Sequence, residues 1–256
     1  MDTTLKDQLF KICKEHYITE KELKDYKGEL VNYDHYPYAP YIPKNWNKIL
    51  VLGGSQKIKA ANNGKKEYRE SLMDLSENEM IFRLGNPVVT YKKPDQFIGV
   101  EPWDNGYLKI AMISCFPESR LDEYGISNAI PWEMSKDNKN WNILLNNKST
   151  KFWKVLFSIL KPKYVITVGN DALYTILVCY PRKEMKFKFF NLMAPLAPIG
   201  SRGIFNESDL YFRYPEVRYA IETNPKIIKR SDPNWRRYVF FAAHAVSKIK
   251  SQLYLP

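Results

Sequence analysis

Two short runs of branched apolar residues, each closed by glycine, set the tightest limit on how this chain can fold: Ile49-Leu50-Val51-Leu52-Gly53-Gly54 and Tyr164-Val165-Ile166-Thr167-Val168-Gly169. Continuous apolar runs of this length suit strands covered on both faces, and a terminal glycine lets the chain turn where a side chain would obstruct it. Strands of that kind belong to parallel sheets flanked by helices. The neighbouring residues supply such helices. Thr150, a plausible cap, opens a stretch with Phe152, Val155, Leu156, Ile159 and Leu160 at helical spacing, and Pro162 interrupts it before the second run. Asn170-Asp171-Ala172-Leu173 then starts another helix with local side-chain caps. Helix, breaker, strand, glycine and helix in this order predict a parallel α/β layer, with polar loops at the carboxyl edge of the sheet.

The remaining segments divide by their punctuation. Residues 1–31 carry Leu5, Leu9, Phe10, Ile12 and Cys13 among lysines and glutamates, a pattern for one or two amphipathic helices. Tyr33 to Pro43 alternates aromatics with prolines, which suits an extended strap over an apolar surface or a channel wall, with packing favoured. Residues 65–82 read as helix and 85–107 as a long surface loop. Strands are expected at 108–114, at 125–132 with Asn128 where strand meets loop, and at 238–244 with His244 directly behind it. With no internal repeat and no second linker, the organisation is an extension over 1–44 and one domain over 45–256.

The 256 residues, 45% of them hydrophobic, suffice for a substantial core. No run approaches the roughly 18 apolar residues of a membrane span and no apolar leader is visible. The expectation is therefore an intracellular protein, cytoplasmic or nucleoid-associated in a bacterium, with no membrane partner. Cys13, Cys115 and Cys179 are far apart and form no CxxC pair, so three reduced thiols are expected, with no metal and no cofactor. A net charge of +11 and a pI near 9.3 attract phosphate polymers, although acidic proteins share that chemistry. Arg202, Arg213, Arg218, Lys229, Arg230, Arg236 and Arg237 lie among Tyr211, Phe212, Tyr214, Tyr219 and Trp235. Phosphate neutralisation with aromatic stacking uses both residue types, whereas a solvated face explains only the charges. Arg202, Arg213, Arg236 and Arg237 are the candidate contacts to a DNA backbone.

Chemistry is sought at the predicted loops. Gly53-Gly54-Ser55-Gln56 can form a ligand-facing turn, but it has neither Walker A nor dinucleotide-fingerprint spacing. The Asn128 amide can read a base edge or simply cap a turn. Trp132 can stack on a ligand or fill the core. His244 can stabilise a negative oxygen on a leaving base or make a structural hydrogen bond.

Taken together, Ile49 to Gln56, Ile126-Ser127-Asn128-Ala129-Ile130-Pro131-Trp132, Pro162 to Ala172 and Ala243-His244-Ala245-Val246-Ser247 resemble the uracil-DNA glycosylase superfamily over most of residues 45–250. The resemblance implies a three-layer α/β/α sandwich around a mainly parallel four-stranded sheet. It implies that Gly54, Ser55 and Gln56 surround the deoxyribose and water, that Asn128 binds an everted base, and that His244 stabilises the departing base. The first-strand loop has no acidic residue where many relatives carry one, and the histidine, proline and serine loop is here His244-Ala245-Val246-Ser247. Asp104, within Trp103-Asp104-Asn105-Gly106, is the substitute acid or base, or else a turn cap; Glu133 is a weaker alternative. The expected activity is monofunctional hydrolysis of the N-glycosidic bond of an extruded uracil or another modified pyrimidine, leaving an abasic site. DNA, single-stranded or carrying modified bases, is the expected partner, in repair or in defence against foreign DNA; no obligate protein partner is implied. The alternatives are a noncatalytic nucleic-acid-binding protein and a nucleotide or nucleoside N-glycoside hydrolase.

Overall fold

A computed structural model describes residues 3–19, 21–22, 36–58, 76–82, 88–93, 96–100, 106–135, 142–180, 184–192, 207–229, 231 and 235–253. It has a mixed α/β architecture with helices on both faces of a four-stranded parallel sheet. The central strand β1 (Ile49–Ile58) pairs in parallel with β4 (Gly125–Ser135) on one side and with β5 (Tyr164–Val168) on the other. Beyond β5 lies β6 (Lys188–Leu192), also parallel, giving the order β4-β1-β5-β6. A separate antiparallel pair, β2 (Val88–Lys93) and β3 (Gln96–Val100), falls within the stretch expected to be a long loop. That expectation is corrected for these residues: glycine and proline mark the ends of a hairpin as readily as they mark a loop.

Alternation along β1 divides the interior in two. Leu50 and Leu52 point into one core with Trp132, Phe152, Trp153 and Val165; Ile49 and Val51 point into another with Tyr124, Ile166, Phe190 and Leu192. The first core is closed by α1 (Thr3–Glu15), the short α2 (Glu77–Ile81), α4 (Asn142–Leu160) and α5 (Asn170–Cys179). Opposite it lie α3 (Gly106–Cys115), α6 (Glu207–Arg213), α7 (Pro215–Thr223) and α8 (Trp235–Leu253). The amphipathic reading of the amino terminus holds over α1, which buries Leu9, Ile12 and Cys13.

The aromatic and proline-rich segment is a packing strap over residues 36–43; residues 33–35 lie outside the described residues. Tyr38, Ala39 and Ile42 are buried, and Tyr41 forms an antiparallel bridge with Ile126 of β4. The Tyr38 N–H donates to the Pro131 carbonyl at 2.8 Å. Proline is tolerated in β4 because β4 ends the sheet and its outer side meets this strap rather than a full strand.

Two expected strands are helices. Residues 108–114 lie in α3, where the Ser114 hydroxyl donates to the Ile110 carbonyl at 2.7 Å. Residues 238–244 lie in α8, which buries Val239, Ala242, Ala243, Val246 and Ile249. A short apolar window does not separate a buried strand from a buried helix, and in α8 the alanines and the helical spacing of buried positions outweigh the aromatics. Thr150 is not a cap, since α4 begins eight residues earlier at Asn142 and runs through it. Pro162 does follow the end of that helix, although Val155 stays 38% exposed on its outer side. Helix α5 starts where expected, but Gly169, at φ 90°, stands before it and makes no side-chain cap bond. Of the helix expected over 65–82, Glu77–Ile81 is observed and 65–75 lie outside the described residues.

Candidate functional site

Parallel pairing brings the carboxyl halves of all four strands to one edge. In one row Leu52 stands beside Ser127 on β4 and Thr167 on β5, with Asn191 of β6 beside Thr167. These residues share the face of the first core. The Thr167 hydroxyl donates to Asn191 Oδ1 at 2.9 Å, while the buried Ser127 hydroxyl has no hydrogen-bond partner among the described residues. In the next row Gly53 stands beside Asn128, and Val168 beside Leu192, facing the opposite way.

Gly53 and Asn128 are matched to each other. A Cβ on Gly53 would lie 2.8 Å from Asn128 Oδ1, closer than real side chains approach. Only glycine leaves room for the carboxamide to lie across β1 there. Asn128 is half-exposed and makes no hydrogen bond among the described residues, and its carboxamide oxygen lies over Gly53. It sits inside β4, which continues to Ser135, and not at a strand end as expected. Gly54, Ser55 and Gln56 likewise continue β1, with Ser55 paired to Ile130, instead of forming a turn.

Aromatic side chains gather on the same face. Helix α3 ends at the amino edge, where Phe116 meets Tyr164 with centroids 6.1 Å apart, so its first turn lies at the carboxyl edge. There Tyr107 stacks on Tyr238 of α8, with centroids 4.1 Å apart and rings inclined by 29°. Trp235, one turn earlier in α8, packs at 5.6 Å against Tyr211.

The fold does not bring His244 to Asn128. The residue lies in the middle of α8, not in a loop behind a strand. That helix packs on α3, α6, α7 and β6. Strand β6 is three places from β4, about 14 Å at the usual strand spacing. His244 is half-buried and makes no hydrogen bond among the described residues; burial, with the Lys248 charge adding to it, holds its imidazole below the ordinary value. At neutral pH it is uncharged. The segment that follows the fourth strand is 193–206, outside the described residues, and Arg202 lies in it.

Trp132 is fully buried and packs against Phe152, with centroids 6.0 Å apart, so it is a core residue with no face open to a ligand. Asp104 lies outside the described residues, and Glu133 belongs to β4. Arg213, Arg236 and Arg237 are exposed, as is Arg218, on helices that pack together. Beside them Phe212 and Tyr219 are 65% and 61% exposed, whereas Tyr211 is buried and donates to Glu222 at 2.6 Å. Thr167 and Asn191 do carry a signal in the sequence: Thr167 interrupts the run Val165 to Val168, and Asn191 interrupts the run Phe189 to Leu192.

Among the described residues no group of histidine, cysteine or carboxylate side chains can hold a metal. The three cysteines are free and buried, and burial pushes the Cys179 thiol up to about 11. No helix among the described residues is long and apolar enough to cross a membrane. The chain matches no protein-family model and no curated protein. What fold and site define is an α/β protein with a four-stranded parallel sheet, carrying a half-exposed asparagine seated against a central-strand glycine.

Two outcomes follow from this geometry. Gly53→Ala is expected to destabilise the protein by about 1–3 kcal/mol through overpacking. Combined with Asn128→Ala, which removes the obstructed oxygen, it should add almost nothing in urea unfolding; simple additivity would refute the close fit. For His244 the folded state disfavours the proton, so its contribution to stability is present above the ordinary histidine value and is lost as pH falls through that value toward the lower folded one. Urea titrations between about pH 7 and 5 should show His244→Gln losing less stability than wild type on acidification; equal losses would contradict burial of the imidazole.

Proposed function

We propose that the protein is a DNA N-glycosylase that takes an extruded uracil or another modified pyrimidine at the carboxyl edge of its sheet. The observation that carries this reading is the Asn128 carboxamide held over Gly53, half-exposed and without a partner among the described residues. A carboxamide offers one donor and one acceptor in a plane, the pattern needed to read a pyrimidine edge. Open parallel sheets bind ligands at this edge. The Tyr107 and Tyr238 rings lie on the same face, and exposed Arg213, Arg236 and Arg237 supply cations for phosphates.

In this reading the nucleotide leaves the stack, and Asn128 holds the base by its edge. The bond from the anomeric carbon to the base breaks with its electron pair going to the base. A water oxygen bonds to that carbon, its proton passing to a carboxylate and from there to solvent, while the base leaves as an anion and takes up a proton from solvent. Asp104 is the candidate carboxylate. Gly54, Ser55 and Gln56 adjoin the sugar and water. His244, within α8, reaches the departing base only if the base extends toward β6.

A second reading has an observation of its own. Gly53, Gly54, Ser127, Asn128, Thr167 and Asn191, in and next to the two rows across the sheet at Asn128, are all uncharged, and the carboxylate of β4, Glu133, lies five residues further along the strand. A noncatalytic nucleic-acid-binding protein would keep the asparagine and the basic helices without an acid.

Oligonucleotides carrying uracil and a panel of modified pyrimidines separate the two. Free base and alkali-labile sites are expected from at least one substrate, and Asn128→Ala should lower release by about a hundredfold, as loss of a donor aimed at developing charge does. Asp104→Asn should lower it comparably, and His244→Ala by much less. Salt-dependent binding without release across the panel would reject the enzyme in favour of the binding protein. Release from free nucleosides would indicate a nucleoside hydrolase.

A further inference from the structure

Five lysines converge on the amino edge of the sheet, opposite the candidate site, from three separate parts of the chain. Lys48 immediately precedes β1, Lys161 and Lys163 precede β5, and Lys186 and Lys188 lie at the start of β6. Backbone hydrogen bonds fix their relative positions: the Lys163 N–H donates to the Lys48 carbonyl at 2.8 Å, and the Lys188 N–H to the Lys163 carbonyl at 3.0 Å. All five are exposed, and among the described residues none is ion-paired with a carboxylate. Glu184 is the one acidic residue in these stretches; on the neighbouring 3-10 turn Leu121–Glu123, Asp122 pairs with Arg120 and Glu123 accepts the Arg120 N–H.

This clustering runs against the needs of folding. Like charges held together oppose compaction, and opposite charges would relieve them without changing the fold. Lys48 and Lys161 moreover adopt φ of 65° and 47°, in the left-handed region that favours glycine or asparagine. Lysine at both turns brings charge to a place where backbone geometry alone asks for another residue, and such outliers point to a function for the site. The cations are also held in place, with Lys48 Nζ 4.4 Å from the centroid of Trp46 and Lys163 Nζ 5.1 Å from that of Tyr164.

Between the first residues of β5 and β6 the surface forms a hollow of about 440 Å³, lined by Lys163, Tyr164, Met185, Lys186, Phe187 and Lys188. We propose that this amino edge is a second nucleic-acid-binding surface, taking the phosphates of a single strand on its lysines and a base against the half-buried rings of Tyr164 and Phe187. Cations interleaved with aromatic rings are how strands are bound without sequence preference. An acidic protein would match the lysines and leave the rings unused. The inference does not require base excision; it adds a second contact, on the side of the domain away from Asn128, by which a nucleic acid could be held while another stretch enters the candidate site.

The test is binding of an unmodified oligothymidylate to the full chain, followed by fluorescence anisotropy over a salt series. K163E/K186E/K188E is expected to bind about tenfold more weakly at low salt, with a log–log salt slope shallower by about 2, the effect of three lost phosphate contacts on a single strand. K163Q/K186Q/K188Q should fall between this variant and wild type, and circular dichroism should show all three folded. R236E/R237E reports separately on the arginine-bearing helices. Affinity and slope of the lysine-reversal variant within twofold of wild type would overturn the proposal. So would equal affinity of wild type for polyglutamate of matched charge, which would assign the surface to acidic proteins. Because the oligonucleotide contains no excisable modified base, neither result depends on whether the protein is a glycosylase.

Discussion

Strand β1 is buried on both faces and bonded on both sides, and the rest of the fold is arranged around that condition. Leu50 and Leu52 can be fully buried only if helices cover one face, and Val51 only if others cover the second. The enclosed part of the strand must also satisfy its backbone groups within the sheet, which β5 does along Ile49–Leu52 while β4 pairs with β1 from Leu50 onward. Parallel partners need long crossovers, so helices are the economical connection, and the same helices supply the two cores. At roughly 25 cal/mol per Å² of apolar surface removed from water, this double burial is the main source of stability.

The same arrangement fixes where chemistry can occur. Parallel strands expose all their carboxyl ends together, and β1 carries its glycines there. Gly53 omits a side chain at the place where Asn128 needs the space, so a packing concession in the central strand becomes the seat of a half-exposed amide. At the other end of the same strands the chain places five lysines that pair with no carboxylate among the described residues. The two edges thus differ in kind, one carrying a neutral hydrogen-bonding group on the same face as a pair of aromatic rings and the other a concentrated positive charge.

How much of this could be read from residues alone depended on how local the cause was. The strands β1 and β5 were legible because branched apolar runs ending in glycine have few other uses, and the strap because proline fixes its own backbone. Helices α3 and α8 were misread because Leu108 to Ser114 and Tyr238 to His244 are too short to show their period, and only packing against one another reveals it. The misreading of α8 reaches the site as well, since His244 lies in the middle of a helix packed toward β6 and not in a loop beside Asn128. Trp132 is core because its side of β4 is covered by Phe152, a contact between residues twenty positions apart that no local pattern encodes. Asn128 was found, but its dependence on Gly53 is a matter of strand register, and register is a property of the pair.

The central claim is that the amide over Gly53 reads a base turned out of its strand. A crystal structure with DNA carrying a modified pyrimidine on a 2′-fluorinated, cleavage-resistant sugar addresses it directly. The account predicts the base extruded on the α3 and α8 side of the sheet, its edge within hydrogen-bond distance of the Asn128 carboxamide. DNA bound with that base still stacked, or an extruded base held elsewhere with Asn128 facing solvent, would contradict it.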